Sequence, residues 1–260
     1  MKDILTEIIA NKRLEVERDK GQIALAELIA ASRDMDTTRS MSGSLKSSKS
    51  GIIAEFKRRS PSKGWIKESA DASIIPASYA AAGASALSIL TDHDYFGGSL
   101  KDIEAARPMV NIPIIRKEFI VDEYQIYQAR LIGADAVLLI ASALEKEECN
   151  ALIEVAHSLD LEVLLELHSQ SELEYIHPQV EMVGINNRNL GSFHTDVANS
   201  FKLAELLPKE VVKVSESGIS SPDTVSELRA AGYRGFLIGE NFMRSDDPGA
   251  SLEEFIAKVK

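Results

Sequence analysis

Residues 52–66 read IIAEFKRRSPSKGWI, and the stretch changes character half-way. Ile52, Ile53, Ala54 and Phe56 have the apolar density of a strand covered on both faces, as parallel strands are. Glu55 and Lys57 interrupt them, and the run then breaks into Ser60-Pro61 and Lys63-Gly64. Glu and Lys are rarely buried unless paired. Either this is an edge strand whose polar residues face water, or its far end opens into a site that needs a carboxylate and an ammonium.

The chain on the C-terminal side decides between these readings. From Ile52 onward one unit recurs: a short apolar run, a polar tip, a loop, a helical pattern and often a Gly. The candidate strands are GIIAEFK, SALSILT, IPIIRKEF, DAVLLIA, EVLLELH, MVGINNR, VVKVSES and GFLIGEN. Patterns such as DASIIPASYAAAG, DEYQIYQARLIG and SPDTVSELRAAG lie between them, with Asp or Ser at their starts and Gly at their close, as helix caps require. Strands alternating with helices imply right-handed parallel crossovers, and eight such units predict an α/β fold of the (β/α)8 TIM-barrel type. An open doubly wound sheet is the alternative.

Residues 1–50 stand outside the repeat. Helical patterns at 2–20 and 24–32 lead into SRDMDTTRSMSGSLKSSKS, which reads as too polar for a core. The expectation is a single domain over 1–260: an N-terminal helical extension and mobile Ser-rich loop at 1–50, packed on a barrel at 51–260.

Polar residues recur at the C-terminal ends of the predicted strands: Glu55 and Lys57, Lys117, Glu166, Asn186, then Glu216 with Ser217. That end carries the active site in this architecture, and a closed barrel has no edge strands to solvate. SESGIS after the seventh strand and LIGENFM after the eighth place Gly218 and Gly239 where backbone N–H groups approach a phosphate in such barrels. Ser60 could add a hydroxyl and Arg188 a guanidinium, while Phe96, Phe119, Leu138 and Leu190 could wall an apolar ring.

Composition excludes several classes. With 29 basic and 40 acidic side chains the formal charge is −11, which disfavours nucleic acid but leaves room for a small anion. Cys149 is the sole cysteine, so no internal disulfide or cysteine metal cluster forms, and it reads as a structural thiol. The five histidines lack metal-ligand spacing, so no metal is expected, and no Rossmann or P-loop fingerprint occurs. Neither a signal peptide nor a bilayer-length apolar run appears, and the expectation is a cytoplasmic protein without membrane partners. A monomer is expected, with a dimer as the alternative.

The motifs IIAEFKRRSPSKG, YFGGS, IIRKEFI, VLLELH, GINNRNL, SESGI and LIGENFM fall in an order and spacing that resembles the indole-3-glycerol phosphate synthase family of tryptophan biosynthesis. The resemblance spans the chain and implies a cofactor-free carboxy-lyase. Such an enzyme converts 1-(2-carboxyphenylamino)-1-deoxyribulose 5-phosphate into indole-3-glycerol phosphate, carbon dioxide and water. It implies Lys117 as general acid and Glu166 as base, with Lys57, Glu55, Asn186 and Ser217 in the polar core. Ser60, Gly218 and Gly239 would contact phosphate; Arg188, Phe96 and Phe119 would contact substrate, with Leu138, Leu190 and Glu216 completing the pocket. Glu118 and Asn189 stand where many relatives have Asp, and no isomerase domain is expected after Lys260.

The residue types suit that chemistry independently. Closing an indole ring needs a cation beside a ketone oxygen, and the later dehydration needs one acid and one base. Lys117, Lys57 and Glu166 are available, and the sequence leaves open which lysine serves which step. A lysine titrates near 10.4 in water, and with Glu55, Glu166 and Glu216 nearby at least one should stay charged. Other readings are a different phosphosugar isomerase, an aldolase using Lys117 as a Schiff base, or a binding protein without catalysis.

Overall fold

The computed structural model describes residues 4–189, 191 and 193–259. Eight parallel strands close on themselves: β1 (Ile52–Phe56), β2 (Ala86–Leu90), β3 (Ile114–Lys117), β4 (Ala136–Ile140), β5 (Glu162–Leu167), β6 (Met182–Asn186), β7 (Val212–Glu216) and β8 (Gly235–Ile238). β1 pairs with both β2 and β8, so the ring has no free edge. All five residues of β1 are buried, Glu55 among them, which rules out the edge-strand reading of residues 52–66.

The extension holds α1 (Ile4–Gln22), α2 (Leu25–Ala31) and α3 (Met41–Ser47). Outer helices α4 (Ile75–Ala81), α5 (Leu100–Ala106), α6 (Glu123–Leu131) and α7 (Lys146–Ser158) follow β1 to β4, and α8 (Ala198–Leu203) and α9 (Pro222–Ala230) follow β6 and β7. After β8 come the short α10 (Glu240–Met243) and then α11 (Pro248–Ala257). Side-chain caps fix several starts: Asp122 accepts from the Tyr124 N–H at 2.9 Å and Ser221 from that of Thr224 at 3.2 Å. The fifth crossover departs from the expected pattern. Its helical piece is a 3-10 segment, Gln170–Tyr175, ending just before Pro178.

Alternation along the strands separates two apolar regions. Ile52, Ala54 and Phe56 point outward to the helices, while Ile53 joins Ala86, Ile115, Leu164, Met182 and Val214 inside the barrel. The Ser-rich stretch corrects the expectation of a mobile loop. Within it α3 stands against the N-terminal ends of β2 and β7, and Met41 and Leu45, both fully buried, complete the interior cluster. Its serines are paired, Ser42 Oγ donating to Glu162 at 2.8 Å and Ser44 Oγ to the Ser85 carbonyl at 2.6 Å. The base of the barrel is thus closed by two apolar side chains on a helix otherwise composed of polar residues and glycine.

At the opposite end α1 lies near the start of α6 and the turn after β4. Cys149 is fully buried in α7, and burial pushes its thiol up to about 11, in keeping with a structural role. Among the described residues no helix is long and apolar enough to cross a membrane.

Candidate active site

The period-two rule that sends Ile53 inward also sends Glu55 inward, since it lies two residues on. Ile115 and Lys117, Leu164 and Glu166, and Val214 and Glu216 repeat the relation. Near-neighbour pairing then brings the polar ends level: Asn186 is opposite Glu216, and Glu166 opposite Gly184. They line one cavity of about 620 Å³ at the C-terminal mouth.

Lys117 is the electrostatic centre. Its Nζ lies 2.8 Å from Glu166 Oε2 and 2.8 Å from Glu216 Oε2. Glu166 Oε1 accepts from Asn186 Nδ2 at 3.0 Å and faces His168 Nε2 at 3.3 Å. Lys57 donates to Glu55 Oε1 at 2.6 Å. Two glycines make room for these carboxylates. A Cβ at Gly184 would fall 2.2 Å from Glu216 Oε1, and one at Gly239 would fall 2.4 Å from Glu55 Oε1.

These pairings divide the titrations. Burial alone would discharge Lys117, but Glu166, Glu216 and Glu55 outweigh it and raise its affinity for the proton. Burial likewise pushes Glu166 upward; the charges of Lys117 and His168 and the bonds from Lys117 and Asn186 hold it down at about 2. Glu216 goes the other way. Burial lifts it to about 7 against the pull of Lys117, helped by the negative charge of Glu166 and Glu55. The cluster therefore offers a charged lysine, an ionised carboxylate and a carboxyl that changes state near neutrality.

One wall is apolar: the Phe96 and Phe119 rings stand 5.9 Å apart at a tilt of 40°, with Leu138 beside them on the cavity lining. The opposite side is Ser217, Gly218 and Gly239 with the residues that follow them. Ser217 and Gly218 both hold left-handed backbone, with φ of +67° and +78°. A side chain at Gly218 would also run into Thr195 at 2.6 Å, so glycine is required there twice over.

Of the residues singled out from the sequence, Glu55, Lys57, Phe96, Lys117, Phe119, Leu138, Glu166, Asn186, Arg188, Glu216, Ser217, Gly218 and Gly239 come together on this cavity. Leu190 lies outside the described residues. Ser60 is buried within the hairpin formed by Arg59–Ser60 and Gly64–Trp65, off the cavity lining, and its Oγ has no hydrogen-bond partner among the described residues. Ser62 and Lys63, from the turn of that hairpin, face the cavity instead. Neither was singled out from the sequence, although both lie in the SPSKG segment that follows the strand. Arg188 donates to Thr195 Oγ1 at 3.3 Å and lies 3.9 Å from Glu240, which also holds Arg244 at 2.7 Å. Lys63, Arg188 and Arg244 make this rim cationic on a chain of charge −11.

The model of the family described as indole-3-glycerol phosphate synthase matches residues 5–255. The chain belongs to the indole-3-glycerol phosphate synthase family. It is 62% identical over 260 residues to an indole-3-glycerol phosphate synthase of Bacteroides thetaiotaomicron, with both chains covered in full. It is 43% identical over 258 residues to one of Acidithiobacillus ferrooxidans, covering 97% of this chain and 98% of that one. The match includes α1 to α3, so the extension belongs to the family as much as the barrel does.

Solved structures agree on the fold alone. Tryptophan synthase subunit alpha from Legionella pneumophila superposes with a TM-score of 0.62 at 13% identity, over 86% of this chain and 97% of that one. An N-acetylmannosamine-6-phosphate 2-epimerase from Clostridium perfringens gives 0.59 at 12% identity, over 80% and 93%.

Proposed function

We propose that the chain converts 1-(2-carboxyphenylamino)-1-deoxyribulose 5-phosphate into indole-3-glycerol phosphate, carbon dioxide and water. The observation that carries this reading is the Lys117 ammonium held 2.8 Å from both Glu166 and Glu216, between an aromatic wall and a glycine-lined, cationic rim. A substrate with an aromatic ring at one end and a phosphate at the other fits that polarity.

In this reading the benzoate ring rests on Phe96, Phe119 and Leu138, and the phosphate takes the side of Gly218 and Gly239. Ring closure moves an electron pair from the carboxylate-bearing ring carbon to the ketone carbon. The former ketone oxygen gains charge and then a proton, and Lys117 is the cation available to supply both stabilisation and proton. Its proton is held tightly by two carboxylates, so the developing oxyanion is what competes for it. Loss of carbon dioxide returns the C–C bonding pair to the ring and restores aromaticity. Dehydration then removes the hydroxyl with a proton from an acid and takes a proton from the adjoining carbon to form the indole double bond. Glu166 is ionised at neutrality and so is the carboxylate free to take a proton, and Lys57, paired to Glu55, is the second cation for the departing hydroxyl.

The aldolase alternative fares worse, because Schiff-base formation needs a neutral amine and Lys117 is held charged. Incubation of the purified protein with the carboxyphenylamino-deoxyribulose phosphate should generate indole fluorescence. Absence of signal at high enzyme concentration would refute the assignment, and a borohydride-trapped adduct at Lys117 would favour the aldolase.

A further inference from the structure

The buried face of α1 is Leu5, Ile8, Lys12 and Val16, spaced three, four and four residues apart. Three of these are what a helix buries, and the fourth is a lysine that is 1% exposed. Such burial is costly for an ammonium unless it is fully paired, and an apolar residue at this position would satisfy the same stripe without that cost.

The pairing leads to the active-site wall. Lys12 Nζ lies 2.9 Å from Asp92 Oδ2, 3.1 Å from Glu118 Oε1 and 2.9 Å from Glu15 Oε2. Asp92, just after β2, uses its other oxygen to accept the N–H groups of Tyr95 at 2.8 Å and Phe96 at 3.2 Å. Glu118, just after β3, accepts the N–H of Phe119 at 2.8 Å. One cation from the extension thus joins two carboxylates on different barrel units, and each carboxylate holds the backbone of one of the two rings that form the apolar wall. The connection of ion pairs and hydrogen bonds goes further, because the Phe96 carbonyl accepts the Arg59 N–H at 3.1 Å, at the root of the hairpin that carries Ser62 and Lys63.

We propose that Lys12 is a positioning residue of the active site: through Asp92 and Glu118 it sets the separation of Phe96 and Phe119, and so the fit of the aromatic half of the substrate. The proposal rests on the function inferred above. Because the two rings contact the substrate in ground and transition states alike, their displacement lowers affinity at little cost to turnover.

The test is steady-state kinetics of Lys12→Met in the full-length protein, well below the melting temperature of every variant. KM should rise at least about tenfold with kcat within about threefold of wild type, the signature of lost uniform binding. Lys20→Met, which removes a different ion pair between α1 and the barrel, that with Asp122 at 2.7 Å, should leave both constants unchanged. An unchanged KM in Lys12→Met beside a lowered melting temperature would reduce Lys12 to a structural ion pair and overturn the proposal. So would a fall in kcat at constant KM. If Lys12→Met does not fold, Asp92→Asn decides by the same criteria, since it keeps the acceptor for Phe96 while removing the charge facing Lys12. An inactive wild-type protein would instead refute the proposed function, which keeps the two failures distinct.

Discussion

Replacing Lys117 by Met tests the electrostatic centre with two readouts that must change together. The side chain is about the same size, so the cavity keeps its shape while its charge is lost. A general acid contributes about 10²–10⁴-fold. Charge stabilisation of an oxyanion is of similar size, about 10²–10³-fold, and resides in the same ammonium, so the factors overlap. We expect product formation to fall by about 10²–10⁴-fold. Carbon dioxide release in a single turnover should fall equally, because decarboxylation follows the ring closure that Lys117 serves. Lys57→Met, if Lys57 acts at dehydration, should still release carbon dioxide while indole appears late.

The second readout is stability against pH. Removing one partner of a buried pair costs about 3–5 kcal/mol, because a charge is left without compensation. In the wild type Glu166 is held at about 2, below its ordinary 4.5, so its contribution is present above 4.5 and lost as pH falls toward 2. Without Lys117, burial meets less opposition, both carboxyls move upward, and the folded state takes up protons more readily than the unfolded chain. The sign therefore reverses. Lys117→Met should be least stable at pH 8 and approach wild type as pH falls through 6, by urea denaturation at several pH values. Carbon dioxide release at the normal rate, or a stability deficit independent of pH, would refute the reasoning.

Three further substitutions probe separate parts of the site and fold. Glu216 titrates near 7 because burial raises it, so kcat/KM should rise through an inflection near that pH as the second carboxylate forms around Lys117, and Glu216→Gln should abolish the inflection. Stability has the opposite slope: the raised pKa makes the contribution of Glu216 greatest below 4.5 and lost through about 7, and Glu216→Gln should flatten that decline. Gly239→Ala places a methyl 2.4 Å from Glu55 Oε1 and 2.9 Å from its Cβ, so Glu55 and Lys57 must shift, and kcat/KM should drop by about 10–100-fold with circular dichroism unchanged. Leu45→Ala opens the base of the barrel and should cost about 2–5 kcal/mol in chemical denaturation; a loss under about 1 kcal/mol would contradict the plugging role of α3.

The barrel was legible because its strands announce themselves twice. Ile52–Phe56 and Ala136–Ile140 are apolar throughout or nearly so, and the charged interruption at Glu55 matches those at Lys117, Glu166 and Glu216 on other strands. No local explanation covers four strands at once, so the repetition identified the rim. The extension was less legible. Met41 and Leu45 are an i, i+4 pair among serines, too few apolar residues for a period to emerge, and they are core only because the barrel supplies the other side of the contact. Lys12 was missed for a related reason. A lysine in a charged helix is ordinarily solvated, and its partners Asp92 and Glu118 are distant in sequence. The place of Ser62 and Lys63 on the cavity, rather than Ser60, depends on hairpin geometry that residue type does not encode.

The extension makes contact at both ends of the barrel, and this has a consequence for synthesis. Ser42 bonds Glu162, 120 residues downstream, so α3 emerges from the ribosome long before the strand that receives it. At about 5–20 residues per second the delay is roughly 6–24 s. During that interval Met41 and Leu45 lack the later part of the interior cluster that covers them, Leu164, Met182 and Val214 among it. The growing chain must carry its first fifty residues as an unfinished clasp, exposed to chaperones and proteases alike, and the polar dress of α3, five serines and a lysine among residues 40–48, keeps that waiting segment soluble.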